Sequence, residues 1–449
     1  MNDTIAAIST AQGVGAISII RVSGDEAIEI VSKIFTNKNF KDASSHTIHY
    51  GYIEYNGEKI DEVLVSKMLS PKTFTMEDVV EINAHGGINT TNKILEILLS
   101  LGCRLAEPGE FTKRALLNGR IDYTQAEGVM DLINSKTDVA RKIAINQING
   151  KASSMIRKLR DELGLILANI EVNLNYPEYE DIEDITVEKI KKSMSDIKSK
   201  ISKIISESKT GEILKEGIKT VIVGRPNVGK SSLLNNLVGE EKAIVTSVQG
   251  TTRDSVEASL LIDNIILNLI DTAGIRDTDD VVEKIGVSKS LKLIDEADLV
   301  LLVLNNNEIL TKEDNEIIDS LKGKKYITII NKCDLPKKIN DDDLLNKVYI
   351  SATENVNIDG VKKKIKELFN LEQIETEDLT YLTSARSIAL LNKVNDEVKE
   401  VLNGIEMGFS LDMIEIDLKN IWNTLGEVIG DSYSDELLDT LFSNFCVGK

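Results

Sequence analysis

Short apolar runs separated by polar turns mark the first part of the chain. Runs at 16–22, 63–68 and 79–83 read as strands, and 90–101 has the spacing of a helix. Together they predict a small α/β domain over residues 1–118. From 124 to 175 the pattern is helical throughout, and an acidic loop follows at 176–184. Ile190, Met194, Ile197, Ile201 and Ile204 then recur at spacings of 4, 3, 4 and 3. That a/d stripe predicts a helical hairpin packing its own core. Lysines beside the stripe are offset by acids, which disfavours a helix lying on a membrane.

At Gly217 the texture changes. Strand-like runs at 219–223, 260–270, 299–304, 326–330 and 348–350 alternate with helices, the pattern of a doubly wound sheet. From Ser384 helices return nearly to the end. An α/β domain at 215–373 is therefore expected inside a helical domain, whose parts run 119–214 and 374–449. Neither helical part has a partner alone, and joining them buries both apolar faces. The 5 prolines (Pro71, Pro108, Pro177, Pro226, Pro336) interrupt no helical pattern.

Composition narrows the choices. A chain of 449 residues holds several domains, at roughly 100–200 residues each. With 53 basic and 73 acidic residues the net charge is −20, so the overall field repels nucleic acid. Any RNA contact needs a local basic patch or a partner. Aromatic residues are 4%, with Trp422 alone of its type, which argues against a stacking platform for single strands. Cys103, Cys333 and Cys446 are far apart and only 3 histidines occur, so neither a disulfide framework nor a structural zinc site is expected. No run approaches the ~18 apolar residues of a membrane span. No Lys or Arg precedes Arg21, so a basic signal-peptide start is missing and a cytoplasmic location is expected.

The chemistry concentrates after 219–223. Gly224-Arg225-Pro226-Asn227-Val228-Gly229-Lys230-Ser231 fits the phosphate-binding pattern G-x-x-x-x-G-K-[ST], between a strand and a helix. Its glycines let backbone N–H groups wrap phosphate oxygens, Lys230 supplies a charge to the β and γ phosphates, and Ser231 offers a hydroxyl to magnesium. Ser232 follows in the same turn. Asp271-Thr272-Ala273-Gly274 closes the 260–270 run, where the carboxylate can hold magnesium through water and the glycine N–H can meet the γ-phosphate. Asn331-Lys332-Cys333-Asp334 closes 326–330. Asp334 accepts from guanine N1–H and the exocyclic amine, a donor pair adenine lacks, and a buried carboxylate left unpaired rejects ATP. Asn331 is expected to brace this loop. Ser351-Ala352 is expected to meet guanine O6 through backbone N–H groups. Thr252, in Gly250-Thr251-Thr252-Arg253-Asp254, can complete the magnesium shell. Four motifs in order, each at a strand end, predict guanine-nucleotide binding.

Hydrolysis needs more. The glutamine that often follows D-x-x-G to orient water is absent: Ile275 stands there. Asn227 beside the Thr-rich loop 246–252 suggests a monovalent cation held by an amide oxygen and loop carbonyls, a shell that suits potassium. Such a cation can take the place of an arginine finger. Arg253 and Arg276 are rivals for that charge. Glu283 either orients water or is a solvated surface residue.

These motifs, with Asn2-Asp3-Thr4-Ile5-Ala6-Ala7, Ile20-Arg21-Val22-Ser23-Gly24, Glu77-Asp78-Val79-Val80-Glu81, His85-Gly86-Gly87, Pro108-Gly109-Glu110-Phe111, Asp122-Tyr123-Thr124-Gln125-Ala126-Glu127 and the terminal Phe445-Cys446-Val447-Gly448-Lys449, resemble the MnmE (TrmE) family of tRNA modification GTPases over nearly the whole chain. The resemblance implies an N-terminal tetrahydrofolate-binding domain that dimerises, a helical domain, and an inserted Ras-like P-loop GTPase domain. It implies work with a flavin-dependent partner, MnmG (GidA), that adds an aminomethyl-type group at carbon 5 of the wobble uridine of certain tRNAs, with a reduced folate as one-carbon donor. It implies potassium held by Asn227, Thr246, Val248 and Thr251, and Glu283 as the acid that orients water. Ser247, Gln249 and Gly250 belong to the same loop. It implies folate contacts at Arg21, Glu81, Arg120 and Lys449, and a part for Cys446. Arg120 stands where the family also has lysine, and the tail reads C-V-G-K where C-I-G-K is commoner. The charge survives in the first change and the cysteine in the second.

Two other classes compete. A GTPase timing ribosome assembly usually carries a basic RNA-binding module, and this chain shows none. A membrane-remodelling GTPase needs a basic or aromatic membrane patch, also missing.

Overall fold

A computed structural model describes residues 3–175, 187–240, 243–244, 256–270, 293–369, 371, 379–431, 438, 441–443 and 445–448. They fall into two compact units. One comprises Met1–Asn134, Ala144–Ile201 and Ala389–Lys449, the other Ser135–Ile143 and Ser202–Ile388.

The first unit is built on a six-stranded sheet of β1 (Ile5–Ile8), β2 (Gly15–Ser23), β3 (Thr47–Tyr55), β4 (Glu58–Met68), β5 (Val79–Gly86) and β6 (Arg104–Leu105), in the order β3-β4-β5-β2-β1-β6. Val80, Ile82 and Ala84 of β5 turn inward, where α1 (Ala27–Ser32) and α2 (Ile88–Ser100) cover that face. Period-2 alternation then puts Glu81, Asn83 and His85 on the opposite face, with Glu81 paired across from Arg21 of β2. After α3 (Glu110–Leu117), the helical run expected over 124–175 divides into α4 (Tyr123–Asn134), α5 (Asp138–Ile148) and α6 (Lys151–Asn175). Two local devices break it. Thr137 Oγ1 accepts from the Ala140 N–H at 3.0 Å, a cap for α5. Gly150 adopts φ 75°, a conformation glycine takes without strain.

The a/d stripe lies on α7 (Val187–Glu216), and Ile190, Met194, Ile197, Ile201 and Ile204 are all buried. Within the first unit α6 packs along the late helix Leu411–Ile429, and α4 meets both. Helices from before and after the second unit's sheet thus pack together in the first unit.

The second unit carries a seven-stranded sheet: β7 (Ile218–Val223), β8 (Ala243–Ile244), β9 (Val256–Ile262), β10 (Ile265–Ile270), β11 (Leu299–Asn305), β12 (Tyr326–Asn331) and β13 (Lys347–Tyr349), in the order β13-β12-β11-β7-β10-β9-β8. The run at 260–270 is not one strand, as the sequence suggested. It is an antiparallel hairpin whose turn contains Asp263 at φ 52°. Asp and Asn at 263–264 supply the left-handed turn chemistry that reverses the chain. From β10 to β13 the neighbouring strands run parallel. On β11, Leu299, Leu301 and Val303 pack on one face with α8 (Lys230–Glu240) and α10 (Ile358–Leu368), and Val300, Leu302 and Leu304 pack on the other with α9 (Lys312–Ser320). Burial on both faces is why these strands read as unbroken apolar runs. The ends of β7, β11, β12 and β13 point to one edge, the edge where open parallel sheets bind ligands. Helices α11 (Ala385–Glu406) and α12 (Leu411–Ile429) complete the chain's helical part.

Candidate functional site

The turn after β7 depends on two glycines that admit no side chain. Gly224 sits at φ 147°, and a Cβ there would lie 2.3 Å from the Val303 carbonyl oxygen. Gly229 sits at φ 101°, and its Cβ would lie 2.1 Å from Asn331 Nδ2. Asn227 between them takes φ 62°. Lys230 then opens α8, with Ser231 and Ser232 in its first turn. Lys230 Nζ donates to the carbonyls of Gly224 and Arg225, both at 2.8 Å, so the ammonium is folded over the loop. The result is a helix N-terminus behind a glycine turn, a cradle for an anion.

Residues 331–334 and 351–352, the segments expected to meet the base, adjoin this cradle. Asn331, 2% exposed, donates from Nδ2 to the Val228 carbonyl at 2.9 Å. Its Oδ1 accepts from the Ala352 N–H at 2.9 Å. Lys332 Nζ donates to the Asn227 carbonyl at 2.9 Å. Asp334 Oδ1 accepts from the Ser351 hydroxyl, which joins the two base-reading segments to each other. The Ser351 N–H donates to the Val356 carbonyl at 3.2 Å, and the Ala352 N–H to Asn331 Oδ1. Asn331 needs both ends of its amide filled because it is buried, and Ala352 fills one.

Thr246, Ser247, Val248, Gln249, Gly250, Thr251, Thr252, Asp271, Thr272, Ala273, Gly274, Arg276, Glu283 and Lys449 lie outside the described residues, as do Arg253 and Ile275. Of the residues named for a cation, the described ones are Asn227 and Ser231, both at the cradle's mouth.

In the first unit a second set of predicted residues comes together. Arg21 Nε donates to Glu81 Oε1 at 2.9 Å, and Arg21 Nη1 donates to the Gly448 carbonyl at 3.2 Å. Ser9 Oγ donates to the same carbonyl at 3.0 Å. The Arg21 guanidinium lies 5.4 Å from the Phe111 ring centre and 6.0 Å from that of Phe74. The exposed Arg120 guanidinium also lies beside Phe74, 4.9 Å from its ring centre. Arg21 and Arg120 thus both lie beside the Phe74 ring, and Glu81 and the Gly448 carbonyl hold Arg21. Two guanidiniums beside an aromatic ring suit a flat, anionic ligand.

The tail reaches this place by packing. Phe442 and Phe445 are buried with Ala115, Leu116, Ile121 and Ala126. Gly109, at φ 68°, leaves them room: a Cβ there would lie 2.8 Å from both Phe442 Cδ1 and Phe445 Cβ. The Gly109 N–H donates to the Cys446 carbonyl at 3.3 Å, and Val447 bridges to Pro108. Cys446 itself is exposed. Cys103 is buried and its thiol is pushed up to about 12 by desolvation, so it stays protonated and inert.

Beneath this surface Arg114, 1% exposed, pairs with Asp3 Oδ1 at 2.8 Å, Glu77 Oε1 at 3.0 Å and Glu110 Oε1 at 3.1 Å. Burial raises the Glu110 carboxyl. Arg104, the Glu107 N–H and Arg114 outweigh it and hold the group below its ordinary range. Sequence reasoning quoted Glu77 and Glu110 within motifs but did not see the arginine that gathers them. It missed Phe74 too, since a lone aromatic carries no spacing signal.

The comparisons with known proteins bear on the whole chain. The TrmE N-terminus profile, described as a GTP-binding protein, matches residues 4–120, and the MnmE helical-domain profile matches 123–446. A protein of Ligilactobacillus salivarius named tRNA modification GTPase MnmE is 52% identical over 455 residues, covering 100% of this chain and 98% of its own. Proteins of the same name from Streptococcus thermophilus and Bacillus cytotoxicus are each 51% identical, covering 100% of this chain and 98% and 99% of their own. The chain belongs to the MnmE family. For an MnmE-family chain the order of parts is the one described: an N-terminal α/β region, then helices interrupted by a Ras-like α/β domain with a P-loop. Among the described residues no helix is long and apolar enough to cross a membrane, and no cluster of His, Cys, Asp or Glu could hold a metal ion.

Proposed function

We propose that this chain hydrolyses GTP to GDP and phosphate and, as its MnmE-family membership implies, does so in tRNA modification. The observation that carries the nucleotide half is the Asn331 amide, which ties the phosphate cradle at Val228 to the base-reading segment at Ala352. In this reading 215–373 is the GTPase domain, 1–118 the folate-binding and dimerising domain, and 119–214 with 374–449 the helical domain.

Lys230 holds the phosphates, and Asp334 reads the guanine N1–H and amine. Ser231 and Thr252 are assigned to magnesium, with Asp271 and Gly274 at the γ-phosphate end. Asn227, Thr246, Val248 and Thr251 are assigned to potassium, whose charge offsets the charge that develops on the phosphates. Glu283 orients the water that Ile275 cannot. Arg253 and Arg276 are the rivals of potassium.

Arg21, Glu81, Arg120 and Lys449 are assigned to a tetrahydrofolate derivative that supplies the one-carbon unit. The Arg21 bond to the Gly448 carbonyl supports this, because it joins the tail that carries Cys446 to Arg21 and Glu81. The chain acts as a homodimer with the flavoprotein MnmG in the cytoplasm. The target is carbon 5 of the wobble uridine.

Phosphate release tests the enzyme half. Turnover should be high with GTP in potassium, low in sodium at matched ionic strength, and absent with ATP. Equal turnover in the two salts would remove the cation and return Arg253 or Arg276 to first place. Equal turnover with ATP would remove the guanine assignment.

A further inference from the structure

Two buried asparagines outside the motifs stand at the same sheet edge. β11 ends at Asn305, and Asn306 follows; they are 6% and 4% exposed. Asn306 holds the base-reading loop. Its N–H donates to the Asn331 carbonyl at 2.9 Å, its carbonyl accepts from the Lys338 N–H at 2.8 Å, and its amide donates to the Leu335 carbonyl at 2.9 Å. Asn305 holds Glu308, donating from Nδ2 to Oε1 at 2.6 Å.

Glu308 is one of two carboxylates on Arg225, the second residue of the phosphate loop. Arg225 Nη2 donates to Glu308 Oε2 at 2.8 Å, and Arg225 Nε lies 2.8 Å from Asp314 Oδ2. Asp314 is 1% exposed and fixed in place, since its Oδ2 also accepts from the N–H and hydroxyl of Thr311, both at 2.9 Å. The backbone carbonyl of Arg225 is one of the two that hold Lys230 Nζ. A chain of contacts therefore runs from Lys230 through Arg225, Glu308 and Asn305 to Asn306 and the base-reading loop.

The joint is not fully satisfied. Arg225 Nε and Asp314 Oδ1 are buried without a hydrogen-bond partner, so the Nε contact is a charge pair off the hydrogen-bonding line. A native protein rarely leaves such atoms unmet. Packing alone gives no reason to bury a guanidinium edge here. Fixing the loop backbone does.

We propose that Arg225 is a positioning residue for the phosphate loop: gripped by Glu308 and Asp314, it sets the backbone that aims Lys230 at a nucleotide's phosphates. The guanidinium suits the task because its fork spans two carboxylates at once, which an ammonium cannot. The inference rests on the guanine-nucleotide assignment above.

The test uses the full chain and fluorescent GDP and IDP, with the melting temperature of each variant measured in parallel. Arg225→Ala should weaken GDP about tenfold or more, the worth of a charge-assisted contact. IDP should weaken by the same factor, so the GDP-to-IDP ratio stays put while phosphate grip is lost. Arg225→Lys should recover only part of the loss. Glu308→Gln, half exposed and away from the nucleotide, should weaken GDP about threefold. GDP affinity within twofold of the parent in Arg225→Ala, with only the melting temperature lowered, would reduce Arg225 to a structural residue and overturn the proposal. A changed GDP-to-IDP ratio would overturn it too, by placing Arg225 at the base. If Arg225→Ala does not fold, Glu308→Gln decides alone, and unchanged GDP affinity overturns the proposal. A parent chain that binds no GDP would instead refute the guanine assignment.

Discussion

Asn331 Nδ2 donates to the Val228 carbonyl at 2.9 Å, and the two residues come from different motifs, one in the loop after β7 and the other at the end of β12. The bond makes the phosphate loop and the base-reading loop one object. It also explains why Gly229 must be glycine, since Asn331 occupies the space a Cβ would take.

Gly229→Ala should therefore break nucleotide binding. The left-handed φ alone costs about 1–3 kcal/mol for a residue with a side chain, and the Asn331 amide must also move. We expect GDP affinity to fall at least about tenfold. Circular dichroism should show the fold intact. GDP binding at the parent's level would show that the Asn331 strut does not govern the cradle.

Asp334→Asn exchanges an acceptor for a donor opposite guanine N1–H. Two charge-assisted hydrogen bonds are lost, which predicts a fall in GTP affinity of about a hundredfold or more and a gain for xanthosine triphosphate. Titration calorimetry with both nucleotides checks the exchange. Unchanged GTP affinity in the variant means that Asp334 does not read the base.

The buried cluster around Arg114 gives the N-terminal region its pH dependence. The native Glu110 carboxyl sits below its ordinary value of 4.5. Its contribution is therefore complete above that value and lost as pH falls through the lower native one. Glu110→Gln should cost about 3 kcal/mol at neutral pH, as removal of one partner of a buried pair does. Denaturant titrations should show this gap narrowing below pH 4.5 and constant above it. A gap independent of pH in acid would mean that Glu110 acts through packing.

The tail is seated by its aromatic residues. Phe445→Ala should destabilise the first unit by about 3 kcal/mol and release the Gly448 carbonyl from Arg21. Carboxypeptidase should trim the variant faster than the parent, while GTP hydrolysis, housed in other residues, stays near the parent rate. Equal trimming would show that the tail is held by something other than Phe445.

Periodicity located most of the elements. The a/d stripe of α7 and the apolar runs of β7, β11 and β12 are where the pattern put them. The run at 260–270 was misread because it is mostly apolar on both sides of Asp263-Asn264, the turn that divides it into two strands. Arg21 and Arg120, which the family resemblance singled out, both lie beside Phe74, a residue that the sequence did not mark. The Arg225 clamp left no trace in the sequence. Glu308 lies 83 positions along the chain, and a surface-type Arg and Glu at that separation carry no signal until the sheet brings them together.

The most direct test of the account is nucleoside mass spectrometry of tRNA from a strain lacking this chain. The account predicts that the wobble uridine loses its carbon 5 group, that the parent chain restores it, and that Asp334→Asn does not. Unchanged wobble uridines in the deletion strain would contradict it.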